Sequence, residues 1–315
     1  MEAQLTELRA LAARAENRRT ETGIPRVALV QRHVPEHMLA AVYEPMVNLI
    51  LQGSKRMTVG NATLVYDPAT YFVMSVDLPA IGTVHADASG APYLAASLTL
   101  DRTCIAALLA DVPAASQAAA SSFSVAPVTP ELLDAWVRML RLMDRPEDIA
   151  ALAPGCEREI LYRVLQGPHA ALLRDIATPS TDLARIDLAV HWIRRHFSEP
   201  LRVEELAARA AMSPSAFHRH FKRATALSPL QFQKRIRLLQ ARLLLIGGGW
   251  TATSVAFEVG YESATQFSRE YARFFGAPPG RDVGRILASE RRAADQRRGL
   301  VTDTIATQDI DGMEP

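Results

Sequence analysis

Apolar side chains recur at helical spacing twice in the C-terminal half of the chain, and the two patterns share one plan. In RVEELAARAAMSPSAFHRHFKRA, residues 202–224, Leu206, Ala207 and Ala210 form a stripe on one helix, and Met212, Phe217 and Phe221 continue it on the next. Between them, Ser213-Pro214 is a start signal. The serine hydroxyl accepts from backbone N–H groups that the first turn leaves unpaired, and proline is preset for the first helical position. TATSVAFEVGYESATQFSREYARFFG, residues 251–276, repeats the plan. Val255, Ala256 and Val259 face inward, Gly260 supplies the turn, and Ser263 caps a helix that carries Phe267 and Tyr271 inward. The second helices of the pair start about 50 residues apart, at Ser213 and Ser263. Between the two patterns, Ser228-Pro229 opens LQFQKRIRLLQARLLLI, which stops at Gly247-Gly248-Gly249. About 17 residues at 1.5 Å each predict a stiff spacer of about 25 Å. Two helix-turn-helix units on one duplex face need a separation near one DNA turn, roughly 34 Å.

From Val27 to Leu100 the period shortens toward two and turn residues multiply. The predicted strands are Val27–Gln31, Met46–Leu51, Arg56–Val59, Ala62–Tyr66, Tyr71–Val76, Gly82–Ala86 and Tyr93–Thr99. Gly53-Ser54, Gly60-Asn61 and Asp67-Pro68 punctuate them, the second as a tight hairpin signal. Strands this short and closely spaced suggest a sandwich or a small barrel. Ahead of them, Leu5, Leu8, Leu11 and Ala15 predict an amphipathic helix from Glu2 to about Arg19 that packs on its own domain, with contact to a partner subunit as the alternative. After Leu100, Asp101 caps a helix over Cys104–Ala110, and Pro130 opens one over Glu131–Met143 with Leu133, Trp136, Val137 and Leu140 on one face. The Ala/Ser/Pro-rich run at 115–130 reads as a loop. Glu157–Gln166 and Pro168–Ala177 are helical, and Thr178-Pro179-Ser180 is a short polar boundary. Leu183–Phe197 then points Ile186, Ala189, Val190 and Ile193 inward. The last residues, free of aromatics and mixed in charge, predict a poorly ordered tail.

At 315 residues, with 49% apolar and 22% charged side chains, the chain is globular and long enough for two domains. The net charge of +1 hides an asymmetry. Between Arg185 and Arg285 there are sixteen Lys and Arg against eight Asp and Glu, so the basic excess belongs to the helix-turn-helix half. Cys104 and Cys156 are too few for a disulfide framework and lack zinc-ligand spacing. The absence of a long apolar run or a signal-peptide core predicts a cytoplasmic protein without a membrane span.

The run SPSAFHRHFKRATALSPLQFQKRIRLLQARLLL, followed by VAFEVGYESATQFSREYARFFGAPPGRDV, resembles the DNA-binding domain of AraC/XylS-type transcription regulators. A lone helix-turn-helix is a weak signal; the duplicated order, ending in Phe-Gly-x-x-Pro, is specific. Two positions depart from the family pattern. Ala211 and Ala226 stand where glycine is frequent, and alanine in a left-handed conformation is strained by its Cβ. The segment VNLILQGSKRMTVGNATLVYDPATYFVMSVDLPAIG resembles the cupin-like N-terminal domain of one branch of the family, over roughly residues 20–170. The resemblance implies an α+β protein: an N-terminal cupin-like β-barrel with flanking helices and a C-terminal all-α domain with two helix-turn-helix motifs. The expected divisions are 1–178 for sensing and dimerisation, 179–288 for DNA binding and 289–315 for the tail. In such relatives the helices after the barrel pair with a second subunit, which makes Leu161, Val164, Leu165, Leu172 and Leu173 candidates alongside ordinary core packing.

With Phe217 and Phe221 inward, the first recognition helix leaves Ser215, Ala216, His218, Arg219 and Lys222 outward. Arg219 suits a guanine edge, Ser215 and His218 shorter contacts, and Lys222 phosphate; His220 lies nearer the core. On the second, Ala264, Thr265, Ser268 and Arg269 are outward. Ala264 and Thr265 suit a thymine methyl, and Arg269 guanine or phosphate. Tyr66, Tyr71, Ser75, Asp77, His85, Tyr93 and Ser97 are candidate effector contacts in the barrel. His33, His37 and His85 do not form a His-x-His metal constellation, and Cys104 has no sign of activation. The expected function is a DNA-binding regulator, activating by family habit. Its expected partners are the major groove of double-stranded DNA, RNA polymerase, a small-molecule effector and a second copy of the chain. No catalytic residues and no cofactor are expected. The alternatives are a metal-dependent cupin enzyme fused to a DNA module, and a constitutive regulator whose barrel binds only proteins.

Overall fold

Alternation of buried and exposed side chains builds ten strands among the described residues of the computed structural model, which are 1–16, 18–33, 36–68, 70–112 and 121–288, without the side chains of 36 and 37. The expected tail at 289–315 lies outside the described residues, as does the side chain of His37. The chain divides into two compact units, one of Met1–Arg195 with Leu201–Gln233, the other of His196–Pro200 with Lys234 onward.

In the first unit the strands are β1 (Arg19–Glu21), β2 (Val27–Arg32), β3 (Glu36–Tyr43), β4 (Met46–Gln52) and β5 (Ser54–Val59). They continue as β6 (Ala62–Tyr66), β7 (Thr70–Met74), β8 (Leu78–His85), β9 (Tyr93–Thr99) and β10 (Phe123–Pro127). They form two antiparallel sheets and do not close into the expected barrel. One sheet runs β1-β2-β9-β4-β7-β10 and the other β3-β8-β5-β6, so each keeps two edge strands with no ladder to the other. Three of these strands escape the sequence reading. Strand β1 begins at Arg19, where the first helix is expected to end, and β3 carries Ala40-Ala41 with Val42 as its one β-branched residue. Strand β10 lies inside the Ser/Ala/Pro-rich run expected to be a loop. Its ladder to β7, from Phe123↔Met74 to Pro127↔Thr70, overrides a weak local propensity, and its proline is tolerated on an edge.

One face of the six-stranded sheet carries Val27, Leu29, Val47, Leu49, Leu51, Val73 and Leu98, all buried. Over it lie α1 (Glu2–Ala12), α3 (Pro130–Arg141), α4 (Ile149–Leu165) and α5 (Ala170–Ala177), with Trp136 fully buried. Helix α1 stops well short of Arg19, but Leu5, Leu8 and Leu11 are core, as the pattern predicts. Helix α2 (Arg102–Leu109) starts at Asp101, whose carboxylate accepts from the N–H groups of Thr103 and Cys104. Leu161, Val164, Leu165, Leu172 and Leu173 are all consumed in this core. The apolar side chains that α4 exposes are instead Leu152 and Tyr162. The opposite face of the sheet, with Asn48, Phe72, Tyr93 and Ser97, turns toward the four-stranded sheet.

The same unit contains α6 (Asp182–Arg195), α7 (Val203–Arg209), α8 (Pro214–Thr225) and the start of α9 (Pro229–Gly247). Ile186, Ala189, Val190 and Ile193 of α6 are buried, as expected. The second unit holds the rest of α9, then α10 (Ala252–Glu258), α11 (Ala264–Phe275) and a helical stretch over residues 279–288. Arg237 ties it together, its guanidinium donating to the carbonyls of Phe197 (2.7 Å), Ser198 (3.2 Å), Glu199 (3.0 Å) and Gly260 (2.6 Å). Asp282 does the same for α11, accepting from the buried Arg242 at 2.8 and 3.0 Å and from the Tyr271 hydroxyl at 2.9 Å.

Candidate nucleic-acid interface and ligand cavity

Helix α8 begins where the sequence places it. Ser213 Oγ accepts from the Ala216 N–H at 3.3 Å, and Pro214 occupies the first turn. Phe217 and Phe221 are fully buried, their rings 5.4 Å apart, and Phe221 meets Phe232 at 5.5 Å. That aromatic anchor fixes the rotation of the helix. Ser215, His218, Arg219 and Lys222 are left exposed and Ala216 half-buried. His220 sits on the flank, 3.0 Å from Asp182 of α6, and accepts from the neighbouring Arg219 at 3.3 Å.

In the second unit, Ser263 Oγ accepts from the Gln266 N–H at 3.3 Å, and Phe267, Tyr271 and Phe275 are buried. Thr265 and Arg269 are exposed and Ala264 and Ser268 half-buried. Glu270, on the other flank, accepts from Lys234 (2.9 Å), the Tyr261 hydroxyl (2.9 Å) and Gln266 (3.1 Å). Each helix thus presents an unburied arginine from a rigid, capped frame, as readout of a base edge requires. The left-handed residues also fall where the motif predicts them. Ala211 has φ +51° and Ala226 φ +57°, and the matching glycines, Gly260 and Gly276, have φ +88° and +78°.

Between the two sheets lies a cavity of about 330 Å³. Of the seven candidate effector residues, Tyr93 and Ser97 line it. Tyr66 stands behind the wall, donating to Asn48 Oδ1 at 3.1 Å, and Asn48 lines the cavity. The other four are elsewhere. Tyr71 points to the helical side of its sheet, edge-on to His169 at 4.9 Å. Ser75 donates to the carbonyl of Ser122 at 3.0 Å. Asp77 accepts from Arg194 of α6 at 2.5 Å, with His191 at 3.6 Å. His85 ends β8, its Nε2 buried and, among the described residues, without a hydrogen-bond partner. Tyr71 takes the other face of its strand, which alternation alone does not assign, and Ser75 and Asp77 lie in the connection between β7 and β8. Lys55, Asn48, Arg19, Arg32 and Tyr43, none of them a sequence candidate, also line the cavity. Lys55 and Tyr43 belong to strand segments the pattern reads short or not at all. Among the described residues no three His, Cys, Asp or Glu side chains converge on a metal position, and no helix is long and apolar enough to cross a membrane.

A family model described as the AraC-type transcriptional regulator N-terminus matches residues 23–172, and a helix-turn-helix domain model matches residues 206–283. The HTH-type transcriptional activator RhaS of Escherichia fergusonii is 33% identical over 145 residues, covering 44% of this chain and 51% of that protein. RhaS of Klebsiella pneumoniae is 33% identical over 150 residues, covering 47% and 51%. The chain therefore spans about half the length of the curated relatives it matches. Among solved structures, apo ToxT of Vibrio cholerae has a TM-score of 0.53 at 9% identity, over 82% of this chain and 97% of that one. That likeness is one of fold.

Proposed function

Since the chain belongs to the AraC-type transcriptional regulators, we propose that it binds double-stranded DNA through two major-groove helices and activates transcription in response to a small molecule. The observation that carries this reading is the pair of capped helices α8 and α11, each with its aromatic stripe buried and an arginine, Arg219 or Arg269, exposed. Arg219 donates to a guanine edge and Arg269 to guanine or phosphate. Thr265 and Ala264 touch a thymine methyl, Ser215, Ala216, His218 and Ser268 complete the contact, and Lys222 neutralises phosphate. Residues 1–178 serve as the non-catalytic sensing half and 179–288 as the DNA-binding half. The effector enters the cavity between the sheets, a second copy completes the active dimer, and RNA polymerase is the final partner. Coupling requires the effector to favour one arrangement of the halves over another; equal affinity for both shifts nothing. Selection of genomic duplex fragments on the full chain tests the reading. Enrichment of a two-part site with paired guanine-containing elements supports it, and recovery without sequence preference refutes it.

A further inference from the structure

Lys55 lies on β5, only 5% exposed, and lines the cavity between the sheets. Among the described residues its ammonium has no carboxylate partner and no hydrogen bond; it stands 4.7 Å above the ring of Tyr43. An unpaired buried ammonium is destabilising, because water solvates it far better than an apolar wall does. Burial lowers its pKa from the ordinary lysine value to about 7. The sheet is also cut away to accommodate it. A Cβ at Gly82 of β8 would stand 2.6 Å from Tyr43 Oη and 2.8 Å from Lys55 Cε.

The rest of the wall narrows what the cavity can hold. Val30, Leu39, Val42 and Met46 are apolar. Two of the neutral polar groups are already engaged in the sheet. Asn48 donates to the carbonyl of Ala96 at 3.2 Å and accepts from Tyr66, and Ser97 donates to the carbonyl of Ala28 at 3.3 Å. The Tyr93 hydroxyl, which burial keeps protonated, is a second donor on the wall. Arg19 is held by Glu21 at 3.1 Å, and Arg32 donates to the carbonyl of Gln31 at 2.8 Å. Both add positive potential to the wall, and Arg19 also donates to Ser97 Oγ at 3.4 Å. Glu44, the acid on the lining, has a 60% exposed side chain and lies 4.0 Å from Arg194.

We infer that the cavity takes a small organic carboxylate with a compact apolar body, bound as an ion pair to Lys55 and as a hydrogen bond to Tyr93. This inference rests on the sensing reading above and gives its effector a chemical class.

The test is calorimetric titration of the full chain at pH 8 with benzoate, hexanoate and cyclohexanecarboxylate, each beside its primary amide. The expected result is binding of at least one acid, with its amide at least tenfold weaker. Repeating the titration in buffers of different ionisation enthalpy should show proton uptake approaching one per acid bound, because the arriving carboxylate recharges Lys55. Lys55→Met should abolish the uptake and weaken the acid at least tenfold while leaving the amide unchanged. Tyr93→Phe, which keeps the charge, should weaken the acid several-fold and retain the uptake. An amide that binds as well as its acid, without proton uptake, overturns the carboxylate assignment and leaves the sensing reading intact. Failure of every acid and every amide to bind overturns both.

Discussion

Two turns of the same motif carry different residues at their left-handed position, Ala211 and Gly260, and the difference predicts opposite effects of swapping them. After α7, the N–H groups of Ala211 and Met212 return to the carbonyls of Ala208 and Ala207; after α10, those of Gly260 and Tyr261 return to Phe257 and Ala256. The position is left-handed in both, at φ +51° in Ala211 and +88° in Gly260. Ala211 is exposed, so a glycine there removes no packing. Ala211→Gly relieves about 1–2 kcal/mol of left-handed strain. It returns about 0.4–1 kcal/mol through the freer unfolded chain. The net is a stabilisation of about 0–1.5 kcal/mol. Gly260→Ala incurs the same strain and a collision, because a Cβ there meets the backbone carbonyl of Ser198 and lies 2.9 Å from Arg237 Nη2. Backbone cannot swing aside like a side chain, so crowding adds about 1–3 kcal/mol; less about 0.4–1 kcal/mol from the stiffer unfolded chain, the loss is about 1–4.5 kcal/mol. Urea unfolding of the full chain, followed by circular dichroism, measures both. A destabilising Ala211→Gly, or a Gly260→Ala that loses less than about 1 kcal/mol, refutes the reasoning.

Arg237→Met removes four hydrogen bonds to carbonyls in the second unit. With partial rehydration of those carbonyls it should destabilise by about 2–4 kcal/mol, and Arg237→Lys should recover only part, since an ammonium lacks the planar fork; urea midpoints of the two variants check this. His191 has its pKa raised to about 9, chiefly by its hydrogen bond to Asp187, with Asp77 adding to it. Its folded value lies above its unfolded one, so its contribution is complete below about pH 6.5 and fades as pH rises through about 9. Buried Lys55, with its pKa lowered to about 7, pulls the other way over that window, so the test is the difference: unfolding free energy should fall more, or rise less, with pH in the native chain than in His191→Gln, and equal slopes contradict it.

The C-terminal helices were legible because local chemistry and tertiary packing agree there. Ser213-Pro214 and Ser263 are caps in the sequence and caps in the structure, and Phe217, Phe221, Phe267 and Tyr271 are buried as their spacing demands. Even the two strained alanines were visible, since only the turn geometry matters at those positions. The sheets were half legible. Strands rich in β-branched and aromatic residues, such as β4 and β7, stand out, whereas β3 and β10 exist because a neighbour supplies their ladder. The cavity was the least legible part. Tyr93 and Ser97 line it, but Lys55 reads as a surface lysine in a hairpin until the fold buries it. Asp77, expected at the ligand, is neutralised by Arg194 more than a hundred residues away, a pairing no local pattern encodes.

The most direct measurement of the central claim is a gel-shift titration of the full chain and its Arg219→Ala, Arg269→Ala and Lys222→Ala variants on the selected duplex at two salt concentrations. Arg219→Ala should weaken binding by about 1–3 kcal/mol and erase preference for one guanine, with Arg269→Ala doing so at the second element. Lys222→Ala should weaken all sequences alike and lower the salt slope by about 1. Unchanged affinity and unchanged base preference in both arginine variants would contradict major-groove reading by α8 and α11.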